Sequence, residues 1–164
     1  MKTLYLLRHA KSSWDDAGLD DYHRPLNHRG EKDAPKMGKR LRREGVSPRL
    51  ICSSSAVRAI TTAQRVAEEL GYPVASIQQE KKLYHAGPEE ILTFLRSVPS
   101  HVESVMLVGH NPGFTEFAND LLNEEIDNLP TAGVIGAKLA IDAWKDASWG
   151  CGKMFLYEYP KKEQ

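Results

Sequence analysis

Residues Thr3–Ser12, with the sequence TLYLLRHAKS, combine an apolar run with an abrupt change to charged side chains. The apolar part, Thr3–Leu7, is typical of a strand that is covered on both faces of a sheet. Arg8 and His9 follow it directly. In α/β proteins ligands bind at the carboxyl ends of such strands. This stretch therefore predicts a buried, mostly parallel sheet and indicates where its site lies.

Short apolar runs alternate with helical patterns along the rest of the chain. The other predicted strands are Leu50–Cys52, Val74–Ile77, Ser104–Val108, Ala132–Ile141 and Met154–Tyr159, the last near a sheet edge. The predicted helices are a segment capped by Asn27 that runs through Arg43 and ends at Gly45, then Ser55–Leu70, Pro88–Val98 and Pro112–Leu122. Pro35 predicts a kink or a late start in the first helix. The order β-α-β-α-β-α-β-α-β-β predicts a three-layer α/β/α sandwich.

Composition excludes several classes of function. A length of 164 residues with 41% hydrophobic residues fits one globular domain, residues 1–164. The 22 Lys+Arg residues balance the 22 Asp+Glu residues, which argues against nucleic acid or a membrane surface as the main partner. No apolar run reaches the roughly 20 residues of a membrane span, and no signal peptide is expected. Only two cysteines are present, so a cytoplasmic location is predicted.

Three predicted strand ends carry side chains suited to phosphate. Arg8 and His9 follow the first strand, Arg58 begins the helix after the second, and His110 follows the fourth. Taken alone, each of these residues is more often structural or a solvated charge. The prediction therefore depends on their joint placement at the strand ends. A guanidinium matches phosphate oxygens with a rigid fork of donors, and a helix N-terminus adds free N–H groups. The pattern therefore predicts a phosphoryl-transfer site.

His9 is the predicted nucleophile of this site. A neutral imidazole can attack phosphorus and hold the phosphoryl group covalently, which divides one difficult step into two. The neighbouring Arg8 and Arg58 disfavour the imidazolium form, so His9 is expected to be neutral near pH 7 and activity to fall as it is protonated. His110, facing the same oxygens, is expected to donate a hydrogen bond.

Three motifs in order resemble the histidine phosphatase superfamily, which includes the cofactor-dependent phosphoglycerate mutases. They are LRHAKS at Leu7–Ser12, S-x3-R-x2-T-x-A at Ser54–Ala63 and VGHN at Val108–Asn111. The chain is most similar to the small bacterial protein-phosphohistidine phosphatases of the SixA type, over residues 2 to 159. The resemblance implies a phosphoglycerate mutase-like fold and a phosphatase acting on a phosphorylated protein or a small phosphorylated substrate, without metal or organic cofactor.

The same resemblance implies roles for individual residues. His9 becomes phosphorylated, Arg8 and Arg58 bind the phosphate, and His110 completes the pocket. Ser12 and Asn111 belong to the same motifs and are expected to contact substrate.

The chain departs from many superfamily members in two ways. Ala10 stands where glycine often follows the nucleophile, and no clear proton donor follows the third strand. Glu80, His85 and Glu89 are the candidates there. An imidazole leaving group needs less protonation than an alkoxide, so the missing donor favours N–P bonds or aryl esters over sugar phosphates.

Other interpretations remain open at this point. Cys52 and Arg58 have the C-x5-R spacing of cysteine phosphatases, but the intervening loop lacks glycine and Cys52 ends an apolar run. The six histidines include no His-x-His or His-Glu-x-x-His pair, so a zinc site is not expected. A general small-molecule or aryl phosphomonoesterase and a non-catalytic phosphate-binding module are the alternatives. The long connection Ser13–Leu26 is expected to form a wall of the substrate entrance.

Overall fold

The structure is a computed structural model that describes residues 1–162. Its strands are β1 (Lys2–Arg8), β2 (Leu50–Ser54), β3 (Gln78–Glu80), β4 (Ser104–Gly109), β5 (Val134–Leu139) and β6 (Gly152–Glu158). Its α-helices are α1 (His28–Arg43), α2 (Val57–Leu70), α3 (Pro88–Arg96) and α4 (Gly113–Leu122). None of the helices in this part of the chain is long and apolar enough to cross a membrane.

The six strands form one sheet in the order β3-β2-β4-β1-β5-β6, which is the middle of three layers. Helices α1 and α2 pack together on one face, and α3 and α4 pack together on the other. Strands β1 to β4 run parallel, whereas β5 is antiparallel to both β1 and β6. The predicted α/β/α sandwich with a mostly parallel sheet is confirmed, and so is the edge position of β6.

Strand β1 lies inside the sheet and is buried on both faces. Leu4 and Leu6 belong to the core beneath α3 and α4, whereas Tyr5 and Leu7 belong to the core beneath α1 and α2. Burial of a leucine side chain contributes about 1.5–3 kcal/mol, so both faces anchor this strand. The strand therefore holds the residues at its carboxyl end in a fixed position.

The predicted strand at Val74–Ile77 is wrong. Val74–Ser76 form a 3-10 turn after Pro73, and the strand comes next, at Gln78–Glu80. This strand pairs only with β2 at the sheet edge, and Gln78 and Gln79 are exposed. A short edge strand buries little, so it leaves no apolar pattern for a sequence-based prediction to detect.

Helix α1 begins where the cap predicts, and Pro35 does not delay it. The Asn27 side chain accepts a hydrogen bond from the Gly30 N–H at 2.9 Å, and the helix then continues through Pro35 to Arg43. An interior proline costs a helix about 3 kcal/mol. Burial of Met37 and Leu41 against the sheet offsets that cost, which is why the late start predicted from Pro35 is wrong.

Candidate active site

The strand-end residues meet at one edge of the sheet because their strands are neighbours. Strands β2, β4 and β1 are adjacent, and Arg8 of β1 stands in register with Gly109 of β4. The next residues along each strand are therefore His9 and His110, whose ring centroids lie 5.2 Å apart. Arg58 enters from the first turn of α2, directly after β2. The structure thus brings together four residues that are spread over a hundred positions of sequence.

A cavity of about 840 Å³ opens at this edge. Its volume falls within the ~300–1,000 Å³ that is typical of ligand sites. The lining residues are Arg8, His9, Lys11, Ser12, Ser13, Trp14, Asp15, Asp21, Arg24, Asn27, His28, Arg29, Arg58, His85, His110, Asn111 and Thr131. Five of them belong to the connection Ser13–Leu26, so this segment forms a wall of the cavity, as predicted.

His9 is buried, neutral and oriented. Its Nδ1–H donates a hydrogen bond to the Ala10 carbonyl at 2.7 Å, so the lone pair is on Nε2. Burial lowers the pKa of His9 to about 3, and the positive charges of Arg58, Arg8 and Arg24 act in the same direction, against the hydrogen bond to Ala10. His9 is 7% exposed. The imidazole therefore presents an unprotonated nitrogen at neutral pH.

The residue after His9 is tied to helix α2. The Ala10 N–H donates to Thr62 Oγ1 at 2.9 Å, and the Thr62 hydroxyl donates to the Arg58 carbonyl at 2.7 Å. Ala10 is fully buried. These two hydrogen bonds link the backbone next to His9 to the backbone of Arg58. They therefore help to fix the His9 imidazole relative to the Arg58 guanidinium.

His110 is a second buried, neutral imidazole. Burial, followed by the neighbouring His9, lowers its pKa to about 3. Its Nε2 lies 2.8 Å from Ser54 Oγ, which also accepts the Ala56 N–H at 3.2 Å. In the tautomer in which the Ser54 hydroxyl donates to Nε2, the ring proton lies on Nδ1. His110 then offers one N–H donor without carrying a charge.

Three nitrogen atoms at the site are buried and have no hydrogen-bond partner among the described residues. They are Arg8 Nε, Arg58 Nε and His110 Nδ1. The same guanidinium groups are fixed elsewhere, because Arg8 Nη1 donates to the Leu129 carbonyl at 2.9 Å and Arg58 Nη1 donates to the Asp21 carbonyl at 2.6 Å. Buried donors normally find acceptors. Unpaired nitrogens in the wall of one cavity, two of them on arginines, suit the oxygens of an anion.

Asp21 holds Arg58 in place and was not assigned a role from the sequence. Its Oδ2 accepts hydrogen bonds from Arg58 Nη2 at 2.9 Å and from the Tyr84 hydroxyl at 2.7 Å, and lies 3.3 Å from His85 Nε2. Partial burial raises the pKa of this carboxyl, but the bonds from Tyr84, Arg58 and Arg24 hold it well below its usual range. Asp21 is therefore an anion at neutral pH and has no proton to donate.

Arg24 is a third arginine of the cavity that the strand ends did not reveal. Its guanidinium donates to Asp21 Oδ1 at 3.1 and 3.2 Å, to Ser12 Oγ at 2.7 Å and to the Ser13 carbonyl at 3.2 Å. It also lies under the Trp14 ring, 3.5 Å from the ring centroid. The only sequence signal is an Asp-x-x-Arg spacing in an acidic connection, which does not distinguish a buried arginine from a solvated one.

The remaining candidates, for substrate contact and for proton donation, differ in whether they line the cavity. Ser12 lines the cavity and bonds to Arg24. Asn111 also lines it, but its amide nitrogen donates to the Leu129 carbonyl at 3.0 Å and its oxygen accepts from the Thr115 hydroxyl at 2.9 Å. Of the three candidate proton donors, only His85 reaches the cavity, at its exposed rim; Glu80 and Glu89 do not line it.

The cysteine-phosphatase interpretation is wrong. Cys52 is fully buried in the core beneath α3 and α4 and does not line the cavity. Burial, together with the charge of Glu80, raises the pKa of its thiol to about 12. A nucleophilic cysteine must be a thiolate, and this one is a thiol at neutral pH. Within residues 1–162 no cluster of three His, Cys, Asp or Glu side chains is suited to a metal ion.

The two neutral imidazoles make folding stability depend on pH. In the unfolded chain a histidine binds a proton below about pH 6.5, whereas His9 and His110 stay neutral down to about pH 3. The unfolded state binds more protons in this window, so the free energy of unfolding falls as the pH falls from 6.5 towards 4. Each histidine contributes about 1.4 kcal/mol per pH unit. Urea unfolding at several pH values measures this slope.

The matched variants for this measurement are His9→Ala and His101→Ala. The first removes one buried imidazole and should reduce the slope by about half. The second removes an exposed histidine outside the cavity and should leave the slope unchanged. A wild-type stability that is flat between pH 6.5 and 4.5 would show that the buried imidazoles are protonated in the folded state.

Comparisons with known proteins agree with this geometry. The model of the histidine phosphatase superfamily (branch 1) matches residues 4–85. An uncharacterised chloroplast protein of Arabidopsis thaliana is 32% identical over 89% of this chain and 70% of its own length. A crystal structure from Agrobacterium tumefaciens, provisionally assigned as the phosphohistidine phosphatase SixA, is 28% identical, with a TM-score of 0.82 over 97% of this chain and 98% of that one.

A second solved structure shows the same fold at lower identity. The protein histidine phosphatase SixA in complex with tungstate has a TM-score of 0.81 and 21% identity over 96% of this chain and 97% of that one. The fold and the site define an α/β protein with two buried histidines and two arginines at the carboxyl ends of its parallel strands. The chain belongs to the histidine phosphatase superfamily, and its fold is phosphoglycerate mutase-like. Membership and the SixA-like structure support phosphatase activity.

Proposed function

We propose that the protein removes the phosphoryl group from phosphohistidine on a protein, through a covalent intermediate at His9. The observation that carries this proposal is the set of three buried, unpartnered donors, Arg8 Nε, Arg58 Nε and His110 Nδ1, beside a neutral imidazole. The donors suit the equatorial oxygens of a transferring phosphoryl group. The imidazole supplies the nucleophile.

The reaction has two steps. In the first, the lone pair of His9 Nε2 forms a bond to phosphorus while the bond between phosphorus and the leaving group breaks, and the leaving group departs with that electron pair. A phosphohistidine ring that carries a proton on its other nitrogen leaves as neutral imidazole and takes no proton from the protein. In the second, water attacks the phosphorus, the bond to Nε2 breaks, and inorganic phosphate leaves. Arg8 and Arg58 neutralise the charge of the oxygens in both transition states. His9 returns to its neutral form.

The surroundings of the leaving group favour an N–P bond. Asp21 is ionised by its bonds to Arg58 and Tyr84, and Glu80 and Glu89 lie outside the cavity. An alkoxide needs a proton as it departs, whereas a phosphohistidine that is protonated on its other ring nitrogen releases neutral imidazole, a much weaker base. The site is open at the rim where His85 is exposed, which gives room for a side chain that is carried by a protein. A cytoplasmic phosphotransfer domain is such a substrate.

The test compares initial rates on a phosphohistidine protein, an aryl phosphate and several sugar phosphates, with His9→Ala as the blank. We expect kcat/KM for the sugar phosphates to be at least about 10²-fold below that for phosphohistidine, because general acid catalysis contributes about 10²–10⁴. Comparable rates on sugar phosphates and phosphohistidine would instead indicate a general phosphomonoesterase. Stoichiometric phosphate binding without turnover of any of them would indicate a binding module.

A further inference from the structure

Trp14 is a large aromatic side chain that remains exposed at the mouth of the cavity. It is 75% exposed, and it lines the same cavity as His9. Exposure of a single large apolar side chain is not informative in itself. Here, however, the exposed ring is part of the wall of the cavity that also contains His9, so it can contact a group that is bound in this cavity.

The indole ring is held from below. The guanidinium of Arg24 lies 3.5 Å from the ring centroid and covers one face, while the high exposure of the side chain leaves the other face open. Arg24 itself is 7% exposed and is fixed by hydrogen bonds to Asp21 and Ser12. The support is therefore rigid, and the open face of the ring is oriented before substrate binds.

The chemistry of the open face indicates the kind of group that it binds. Stacked aromatic pairs stabilise each other beyond the area that they bury. The Arg24 cation already interacts with the π system of Trp14, which makes the ring less attractive to a second cation on the opposite face. A neutral, planar aromatic ring is the complementary ligand. The imidazole released from a phosphohistidine is such a ring, because it becomes neutral as its bond to phosphorus breaks.

We propose that the open face of Trp14 is a leaving-group subsite, which stacks on the aromatic ring bonded to the transferred phosphoryl group. This inference rests on the proposed function, since it explains how the same site recognises its substrate. Trp14 acts on specificity, whereas Arg8, Arg58 and His110 bind the phosphoryl group whatever its leaving group is.

The experiment uses two substrates that differ in the ring. Phosphoimidazole and phosphoramidate both lose an N–P bond, but only phosphoimidazole carries an aromatic leaving group. Trp14→Ala should lower kcat/KM for phosphoimidazole roughly three- to tenfold, the range expected for one aromatic stacking contact. The value for phosphoramidate should stay within about twofold of wild type, since that substrate has no ring to stack. Trp14→Phe should retain most of the activity on phosphoimidazole.

The matched control is Leu19→Ala. Leu19 is an apolar residue of the same segment that is 40% exposed but does not line the cavity, so its removal should affect neither substrate. Inhibition by vanadate should be equal in Trp14→Ala and wild type, which verifies that the phosphoryl pocket is intact. An equal loss on both substrates, or no loss on either, overturns the subsite. A wild-type protein that hydrolyses neither of these substrates nor a phosphohistidine protein overturns the proposed function itself.

Discussion

Replacing His9 with alanine is expected to lower phosphatase activity at least about 10⁴-fold and to abolish the phosphoenzyme. The reason is the geometry of the imidazole: Nδ1 is bonded to the Ala10 carbonyl, and burial keeps Nε2 unprotonated. His110 is also a neutral imidazole of this cavity, but its Nε2 is engaged by the Ser54 hydroxyl and is therefore not free to attack. The measurement is turnover of an aryl phosphate, together with trapping of an acid-labile phosphoryl adduct in rapidly quenched reactions.

The control for this variant is Cys52→Ser. Cys52 lies in the core rather than at the cavity, and its thiol pKa is raised to about 12, so the substitution should leave an adduct and most of the activity in place. An adduct that survives in His9→Ala but disappears in Cys52→Ser would assign the chemistry to the cysteine. Circular dichroism of both variants shows whether each has folded.

Replacing Arg58 with alanine is expected to lower kcat/KM about 10³-fold, which is the lower end of the range for an arginine that stabilises a transferring phosphoryl group. Arg58 is 3% exposed, and Asp21 holds two of its nitrogens while Nε has no partner. Arg58→Lys keeps the charge but loses the fork of donors, so it should recover only part of the activity. Inhibition by inorganic phosphate should weaken in parallel with kcat/KM.

Arg65→Ala is the matched control on the same helix. Arg65 is a half-buried arginine whose nitrogens lie 3.5 Å from Glu31 and from Glu68 on the surface of the protein. Such pairs contribute little, and the residue is outside the cavity, so kcat/KM should stay within about twofold of wild type. Equal losses in Arg58→Ala and Arg65→Ala would mean that helix stability, rather than phosphate binding, explains the effect.

The fold could be predicted largely from local patterns. The apolar run before Arg8 identified β1, and the cap at Asn27 located the start of α1. The wrong prediction of a strand at Val74–Ile77 has a physical cause. The true edge strand has only three residues and buries too little to require an apolar pattern, and the apolar residues before it form a 3-10 turn. Interior strands must be apolar on both faces, so they can be predicted from the sequence as continuous apolar runs.

The sequence alone determined the class of fold and the side chains at the strand ends. Both depend on the order of neighbouring residues: an apolar run, the charged residues that follow it, and the rule that parallel strands end at one edge. The sequence also predicted that the Ser13–Leu26 connection forms a wall and that His9 is neutral, but only the tertiary structure decided which residues of that wall act and how far the pKa of His9 is lowered. Asp21, Arg24 and Trp14 become parts of the site only when the Ser13–Leu26 segment folds back over Arg58. The pKa of His9 falls to about 3 chiefly because burial removes water from the imidazole, and burial is a property of packing between distant segments.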